Sequence, residues 1–487
     1  MLGRHGFGSH RDQSQPYGEF QPTGKFGKMF PKLSALIPSP ESLTELGNAM
    51  LDAMPDDPAG DNNDVPAGYT YLGQFIDHDI TFDPTSLQEK LVDPSGLRNF
   101  RTPMLDLDCL YGSGPADQPY LYQRDDRELF QIGKTSSTPP GGDPSVPTEL
   151  PFDLPRAVNG FATIGDPRND ENLIVAQLHL AFQRFHNKVV AEIRDGKIQQ
   201  VAPLRKKPFD EARDLVIWHY QWIVLNDFLP RILDNEQLDL ALEERRFYEH
   251  GVDPYIPVEF SVAAYRFGHT MVRQSYDYNR VFRANTQPSA SLRLLFFFSG
   301  LSGTGEGAPI PSDWIIDWRR FFEVSDGFAV GLSRQINPFL VGFLQDLPNV
   351  PAPNSLAVRN LLRGRSLGLP PGQSVARYMG FTALTPEELS QGPDGQIAAK
   401  HGFHIESPLW YYILKEAEVQ GKGKRLGQVG SRIVAEVFVG LLEADSSSFL
   451  ARNPNWKPIL PGRVPGTFTM ADLLTYVGDV NPIGDKA

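Results

Sequence analysis

The chain has 487 residues, 40% apolar and 11% aromatic, enough to bury a sizeable core and too much for a disordered polymer. Its 46 basic and 59 acidic side chains leave a formal charge of −13, a field that disfavours nucleic acid and anionic membrane surfaces and suits a small or neutral substrate. The single cysteine, Cys109, excludes an intramolecular disulfide and with it a disulfide-stapled secreted design.

Residues 1–65, rich in Gly, Pro, Asp and His, read as an N-terminal arm or collar ahead of one catalytic unit over 66–487. The first twenty residues lack the apolar core of a classical signal peptide. The longest apolar run, Leu294 to Phe298, is too short to cross a membrane. The expectation is a soluble protein without membrane insertion, cytoplasmic or exported by a non-classical route.

From Gly68 to Asp83 the spacing of Leu72, Phe75 and Ile76 predicts one buried helix face, with Gln74 and His78, four apart, on another. The Pro/Gly/Ser-rich stretch 136–151 reads as a surface loop, and the periodic run 171–194 as a long helix. Further helices are expected over 210–229, 258–273, 355–363, 408–418 and 426–444, with hinge candidates at 300–311 and 346–354. Strand-type alternation is scarce and no repeat is visible, so the fold class is mainly α with few short strands.

Taken alone, His78 between Asp77 and Asp79 allows a solvated helix end, a metal-binding His-Asp pair, or a general base. A metal-dependent phosphohydrolase would need further ligands, which His179 and His186 could nominally supply. The longer string GQFIDHDITF, Gly73 to Phe82, narrows the choice, because it resembles the distal-histidine segment of animal-type haem peroxidases, members of the peroxidase–cyclooxygenase superfamily. The resemblance implies His78 as distal acid/base, Gln74 as the distal glutamine, Asp77 as a carboxylate that esterifies a haem methyl, and Asp79 as a calcium ligand.

Four more strings follow in the family's order. RTPMLDLDCLYG, Arg101 to Gly112, resembles its calcium loop, implying Thr102, Met104 (through its carbonyl), Asp106 and Asp108 as ligands. GDPRNDEN, Gly165 to Asn172, resembles its Gly-Asp-x-Arg-x-x-Glu signature, implying Arg168 as distal arginine and Glu171 as the second ester-forming carboxylate. Asn172 stands where one branch of the family has a methionine linked to haem through sulfonium, so that link is not expected. AYRFGHT, Ala264 to Thr270, resembles the proximal segment and implies His269 as the iron ligand, with Arg266 near a haem propionate. LAVRNLLRGRSLGLP, Leu356 to Pro370, implies Asn360 as acceptor of a hydrogen bond from the proximal imidazole and Arg363 as a propionate contact. It departs from the usual pattern at Ser366 and Leu367, where an Asp-His pair commonly follows the arginine. His179, His186, His401 and His404 read as satisfied core histidines.

The resemblance runs from about Gly68 to the C-terminal region and implies a large helical fold with haem buried between central helices. The cofactors implied are haem b or an ester-linked derivative, and Ca2+. The function implied is reduction of hydrogen peroxide to water, with an oxidised haem then taking electrons from small donors such as halides, thiocyanate or phenols. The nearest alternative is a fatty-acid dioxygenase of the same superfamily, which needs a tyrosine three residues before the proximal histidine; that position is Arg266, with Tyr265 one place further back. A noncatalytic haem-binding or adhesion module is a third reading. Oligomeric state is not legible in the sequence.

Overall fold

The structure, a computed structural model, describes residues 24–82, 98–138, 142–198, 207–251, 253–284, 289–299, 309–348 and 350–485. Residues 1–23 of the expected arm, Asp83, residues 139–141 of the expected loop, and 300–308 and 349 of the expected hinges lie outside the described residues. The helices that position the site are α1 (Pro40–Ala49), α2 (Gly68–Ile80), α3 (Leu173–Arg194), α4 (Pro208–Ile223), α5 (Leu356–Ser366), α6 (Leu409–Val419) and α7 (Gln428–Ala444). No described helix is long and apolar enough to cross a membrane.

Local chemistry explains where these helices start. Asn172 caps α3 by accepting the Val175 N–H at 3.0 Å, and Pro208 opens α4 with Asp210 and Glu211 in the first turn, where the helix dipole favours negative charge. The predicted apolar face of α2 is the one that packs: Leu72, Phe75 and Ile76 are fully buried, and Phe75 stacks on Phe182 of α3 with ring centroids 4.8 Å apart. Tyr220 of α4 meets both rings edge-on, so three helices share one aromatic junction at α2.

Beyond α4 the chain widens into a π-turn, Val224–Phe228, before Leu229–Ile232. Pro230 has no N–H to return to the Asn226 carbonyl and its ring would crowd that carbonyl in a regular helix; the wider turn relieves both. The turn carries Asp227 to the Tyr69 hydroxyl, whose contacts are 2.8 and 2.9 Å, and Phe228 against Gly73, where a β-carbon would stand 3.1 Å from the ring. Gly73 is therefore a close-approach residue of the motif.

Two expectations need correction. The helix foreseen over 258–273 is a short helix, Val258–Ser261, a break at Ala263, and a 3-10 segment, Ala264–Thr270. Arg266 donates from Nε to the Ser261 carbonyl at 3.0 Å, taking an acceptor that a continuous helix would use, and Gly268 and Thr270 have poor helix propensity. Residues 24–65 are not an unpacked arm. The strand Gly24–Gly27 pairs antiparallel with Arg98–Asn99 and parallel with Ile256–Pro257, and Asp61–Pro66 pairs antiparallel with Leu332–Arg334. Helix α1 lies on α5, and Phe26, Phe30, Leu43 and Leu46 belong to the main core. Their apolar side chains give this stretch surface to bury despite its loop-like composition.

Candidate active site

Helix α2 ends at Thr81, which is extended and whose hydroxyl donates to the Asp77 carboxylate at 2.9 Å. This end presents Gln74, Asp77 and His78. His78 is 5% exposed, and burial, with Arg168 adding to it, pushes its imidazole down to about 3, so the ring is neutral near pH 7. Its Nδ1 lies 2.8 Å from Oδ1 of Asn169.

The turn Pro167–Asp170 brings the second motif against this helix end. Asp166 caps the turn by accepting the Arg168 N–H at 2.8 Å. Burial alone would raise the Asp166 carboxyl, but Arg101 and Arg168 outweigh it and hold the group far below the usual range. Arg168 is anchored through Nη2 to Asp166 at 2.7 Å and to the carbonyls of His78 and Thr81 at 3.0 and 2.6 Å, over the Phe82 ring. These bonds fix the cation at the C-terminal end of α2.

Glu171 follows, with 27% of its side chain exposed. Its Oε1 accepts the Gln74 amide and stands 3.9 Å from Nε2 of His78. The Asn172 amide nitrogen donates to Oε1 of Gln74 at 3.1 Å, and because the Asn172 oxygen is committed to capping α3, this contact sets the Gln74 amide the right way round for Glu171. Burial pushes the Glu171 carboxyl up to about 7 against the pull of Arg168, and burial likewise raises Asp77 against Arg168 and Arg266.

On the other side, His269 sits on the 3-10 segment with Nδ1 2.9 Å from Nδ2 of Asn360 on α5. Burial, then Arg266, pushes this imidazole down to about 3 and leaves it neutral, the form that ligates a metal. The contact with Asn360 is the expected one, but its direction is reversed. Arg266 donates from Nη1 to Oδ1 of Asn360 at 2.8 Å, so the amide turns its nitrogen, not its oxygen, to His269. The Tyr265 hydroxyl donates to the Gly73 carbonyl at 3.3 Å and ties the proximal segment to α2.

A cavity of about 200 Å³ is lined by Asp77, Thr81 and Arg168 from the distal motifs and by Arg266, Asn360 and Arg363 from the others. Arg359 also faces it, and Val258, Val262 and Leu356 supply apolar wall. The wall is mainly polar, and its four guanidiniums, Arg168, Arg266, Arg359 and Arg363, suit the carboxylates of an anionic group; His78 and His269 are not among the lining residues and stand one step behind it, next to Asp77 in sequence and against Asn360.

The calcium-loop residues also converge. Carboxylate oxygens of Asp79, Asp106 and Asp108 lie within 4.8 Å of one another, all buried. Oδ1 of Asp79 and Oδ1 of Asp108 have no hydrogen-bond partner, although Arg101 pairs with the latter at 3.4 Å. Burial and mutual repulsion raise Asp79, and burial pushes Asp108 up to about 7. Thr102 donates from its hydroxyl to Asp106 at 3.1 Å, and Leu107 adopts a left-handed backbone, φ 57°, that turns its N–H to Asp79 at 3.2 Å. Met104 is half-buried in the same loop.

Asn169, Asp166 and Arg101 take part in this arrangement without having been singled out in the sequence, and Asn172 does so in a role other than the one considered there. Asn172 carries the ordinary cap signal, a polar residue just before an apolar run. Asn169 carries none. His186 is satisfied in the core by the Tyr111 hydroxyl and the Glu128 carbonyl, both at 3.0 Å, whereas His401 pairs with Glu45 nearer the surface and His179 keeps a buried Nε2 without a partner.

Residues 86–446 match the family model described as animal haem peroxidase. A peroxidase-like protein of Margaritifera margaritifera is 31% identical over 259 residues, 43% of this chain and 32% of that protein. Peroxinectin A of Dictyostelium discoideum is 23% identical over 341 residues, 69% of this chain and 59% of that protein. The chain thus spans between about a third and three fifths of the length of these curated relatives. Among solved structures, peroxidase A of Dictyostelium discoideum matches with a TM-score of 0.61 and 17% identity over 98% of both chains. A fatty acid alpha-dioxygenase of Oryza sativa matches with a TM-score of 0.56 and 14% identity, over 92% of this chain and 80% of that one. At such identities the two structures share a fold with this chain, the mainly helical one expected. With the family model matching most of its length and the motif residues gathered around one cavity, the chain belongs to the animal haem peroxidase family.

Proposed function

We propose that the chain is a haem peroxidase that reduces hydrogen peroxide and oxidises a small donor of the halide, thiocyanate or phenol class. The observation that carries this reading is the neutral, buried His78 held by Asn169 of the Arg168–Glu171 turn, next to Asp77, which with Arg168 lines a cation-rich cavity. Haem, when bound, supplies the iron that takes up peroxide and the oxidising equivalents passed to the donor. His269 would hold the iron through Nε2, which needs its proton on Nδ1 and so requires the Asn360 amide to turn its oxygen to His269 once Arg266 leaves it for a propionate. Arg363 would hold the other propionate, and Asp77 and Glu171 are the carboxylates available for esters. His78, neutral at working pH, takes the proton of hydrogen peroxide at Nε2 and returns it to the departing oxygen. Arg168, already fixed by Asp166 and two carbonyls, offers positive charge beside that oxygen without reorganising.

The Asp79, Asp106 and Asp108 cluster is proposed as a Ca2+ site of structural role, holding the residue next to His78 against the 101–112 loop. The dioxygenase alternative is disfavoured by Tyr265, whose hydroxyl is engaged by Gly73 within a cage of Phe260, Phe267 and Phe438. Steady-state oxidation of guaiacol and of bromide by the haem-loaded chain tests the reading. Turnover that requires peroxide supports it, and turnover of a fatty acid with dioxygen in place of peroxide overturns it.

A further inference from the structure

The chemistry above leaves Asn169 and His179 unused. Asn169 is fully buried in the turn between Arg168 and α3, and its amide bridges two buried imidazoles. Oδ1 is 2.8 Å from Nδ1 of His78, and Nδ2 is 3.0 Å from Nδ1 of His179. An amide oxygen only accepts and an amide nitrogen only donates. With the amide in this orientation, Nδ1 of His78 carries its proton and Nε2 keeps a lone pair, while Nδ1 of His179 is an acceptor and its proton resides on Nε2. The two rings are coupled, because turning the amide over would reverse both tautomers together and put a proton on Nε2 of His78.

Among the described residues His179 has no other polar contact to explain it. Its Nε2 is buried without a partner, and its ring lies edge-on to Phe75 at 6.1 Å in the aromatic junction of α2 and α3. A hydrocarbon side chain would suit that pocket better unless Nδ1 matters.

We propose that Asn169, oriented by His179, is a positioning residue that fixes His78 with its proton on Nδ1 and so reserves Nε2 as the atom that accepts the proton of hydrogen peroxide. The consequence rests on the peroxidase reading; the tautomer does not. Proton bookkeeping closes: after Nε2 accepts, the Nδ1–H bond to Asn169 persists, and return of the Nε2 proton to the departing oxygen restores the starting tautomer.

The test is a nitrogen–proton correlation spectrum of the chain carrying isotope-labelled histidine and loaded with diamagnetic zinc protoporphyrin, assigned with H78Q and H179Q. Expected are an Nδ1–H form for His78 and an Nε2–H form for His179. Asn169→Asp, which can only accept, keeps the His78 form, moves the His179 proton to Nδ1, and in the haem-loaded chain reacts with peroxide within about tenfold of wild type. Asn169→Leu and His179→Leu lose the His78 preference, and the peroxide reaction slows by about 10² or more, the scale of a misplaced imidazole proton, with haem uptake unchanged. His78 protonated on Nε2 in the wild type, or Asn169→Leu reacting at the wild-type rate, overturns the proposal. The expected tautomers in a wild type inert to peroxide would uphold Asn169 as the positioning group and overturn the peroxidase reading instead.

Discussion

Oε1 of Glu171 stands 3.9 Å from Nε2 of His78 and accepts the amide of Gln74, so the three residues proposed for the distal side meet at one point. Arg168, the nearby cation, directs its hydrogen bonds to Asp166 and to backbone carbonyls instead of to Glu171. Burial leaves the Glu171 carboxyl near 7, unlike a carboxylate locked in an ion pair. Glu171 thus holds Gln74 without being tied to Arg168, the arrangement that the proposed ester role needs.

Ester attachment follows as a prediction. After exposure to peroxide, haem should stay with the wild-type chain during acidic butanone extraction, be partly released from Asp77→Asn and Glu171→Gln, and be fully released from the double variant. Equal retention by the double variant would contradict the assignment of both carboxylates.

Calcium should raise the melting temperature, and chelation should lower it by several degrees, the scale of about 2–3 kcal/mol of linkage at a hundredfold excess over Kd. Asp79 faces Asp106 and Asp108 with no cation partner of its own, so Asp79→Asn relieves repulsion in the metal-free chain. It should melt above wild type in chelator and below it in calcium. Scanning calorimetry in both buffers checks this reversal of sign.

Acid should destabilise the fold through its buried imidazoles. His219 is held between the Leu215 carbonyl at 2.8 Å and the Leu460 N–H at 3.3 Å, and burial pushes it down to about 4 from 6.5 in the open chain. Between those values the unfolded chain binds the extra proton, so stability is complete above pH 6.5 and is lost as pH falls toward 4, by up to about 1.4 kcal/mol per pH unit for this group. Urea unfolding at pH 7 and pH 5 should show a smaller loss for His219→Phe than for wild type, even though the variant starts lower.

Arg266 holds the amide oxygen of Asn360 and faces the cavity, so its removal frees Asn360 and deletes a cation from the wall. Arg266→Met should weaken haem binding by roughly tenfold or more, the equivalent of one charge-assisted hydrogen bond. Haem titration followed by absorbance measures it, and unchanged affinity would exclude Arg266 as a propionate partner.

The residues proposed for the site could be picked out in the sequence because they come in short local strings: Gln74 with His78, Arg168 with Glu171, Arg266 with His269. The amphipathic spacing of α2 and the cap of α3 were legible for the same reason, since caps and helix faces are set within a few residues. What stayed hidden depends on pairing over long separations. His78 meets Asn169 across 91 positions and Tyr69 meets Asp227 across 158, and neither Asn169 nor Asp227 sits in a pattern that names its partner. The packed stretch 24–65 was hidden because its strands are short and its partners distant, and the broken proximal helix because the Arg266 side chain, not backbone propensity alone, engages the Ser261 carbonyl.

The most direct measurement is stopped-flow absorbance of the haem-loaded chain mixed with stoichiometric hydrogen peroxide, wild type against His78→Ala. Expected are a rapid change of the Soret band in the wild type, a change slower by about 10²–10⁴ in the variant, and equal haem uptake in both. Equal rates would remove His78 from the chemistry, and a chain that takes up no haem would contradict the assignment of the cavity itself.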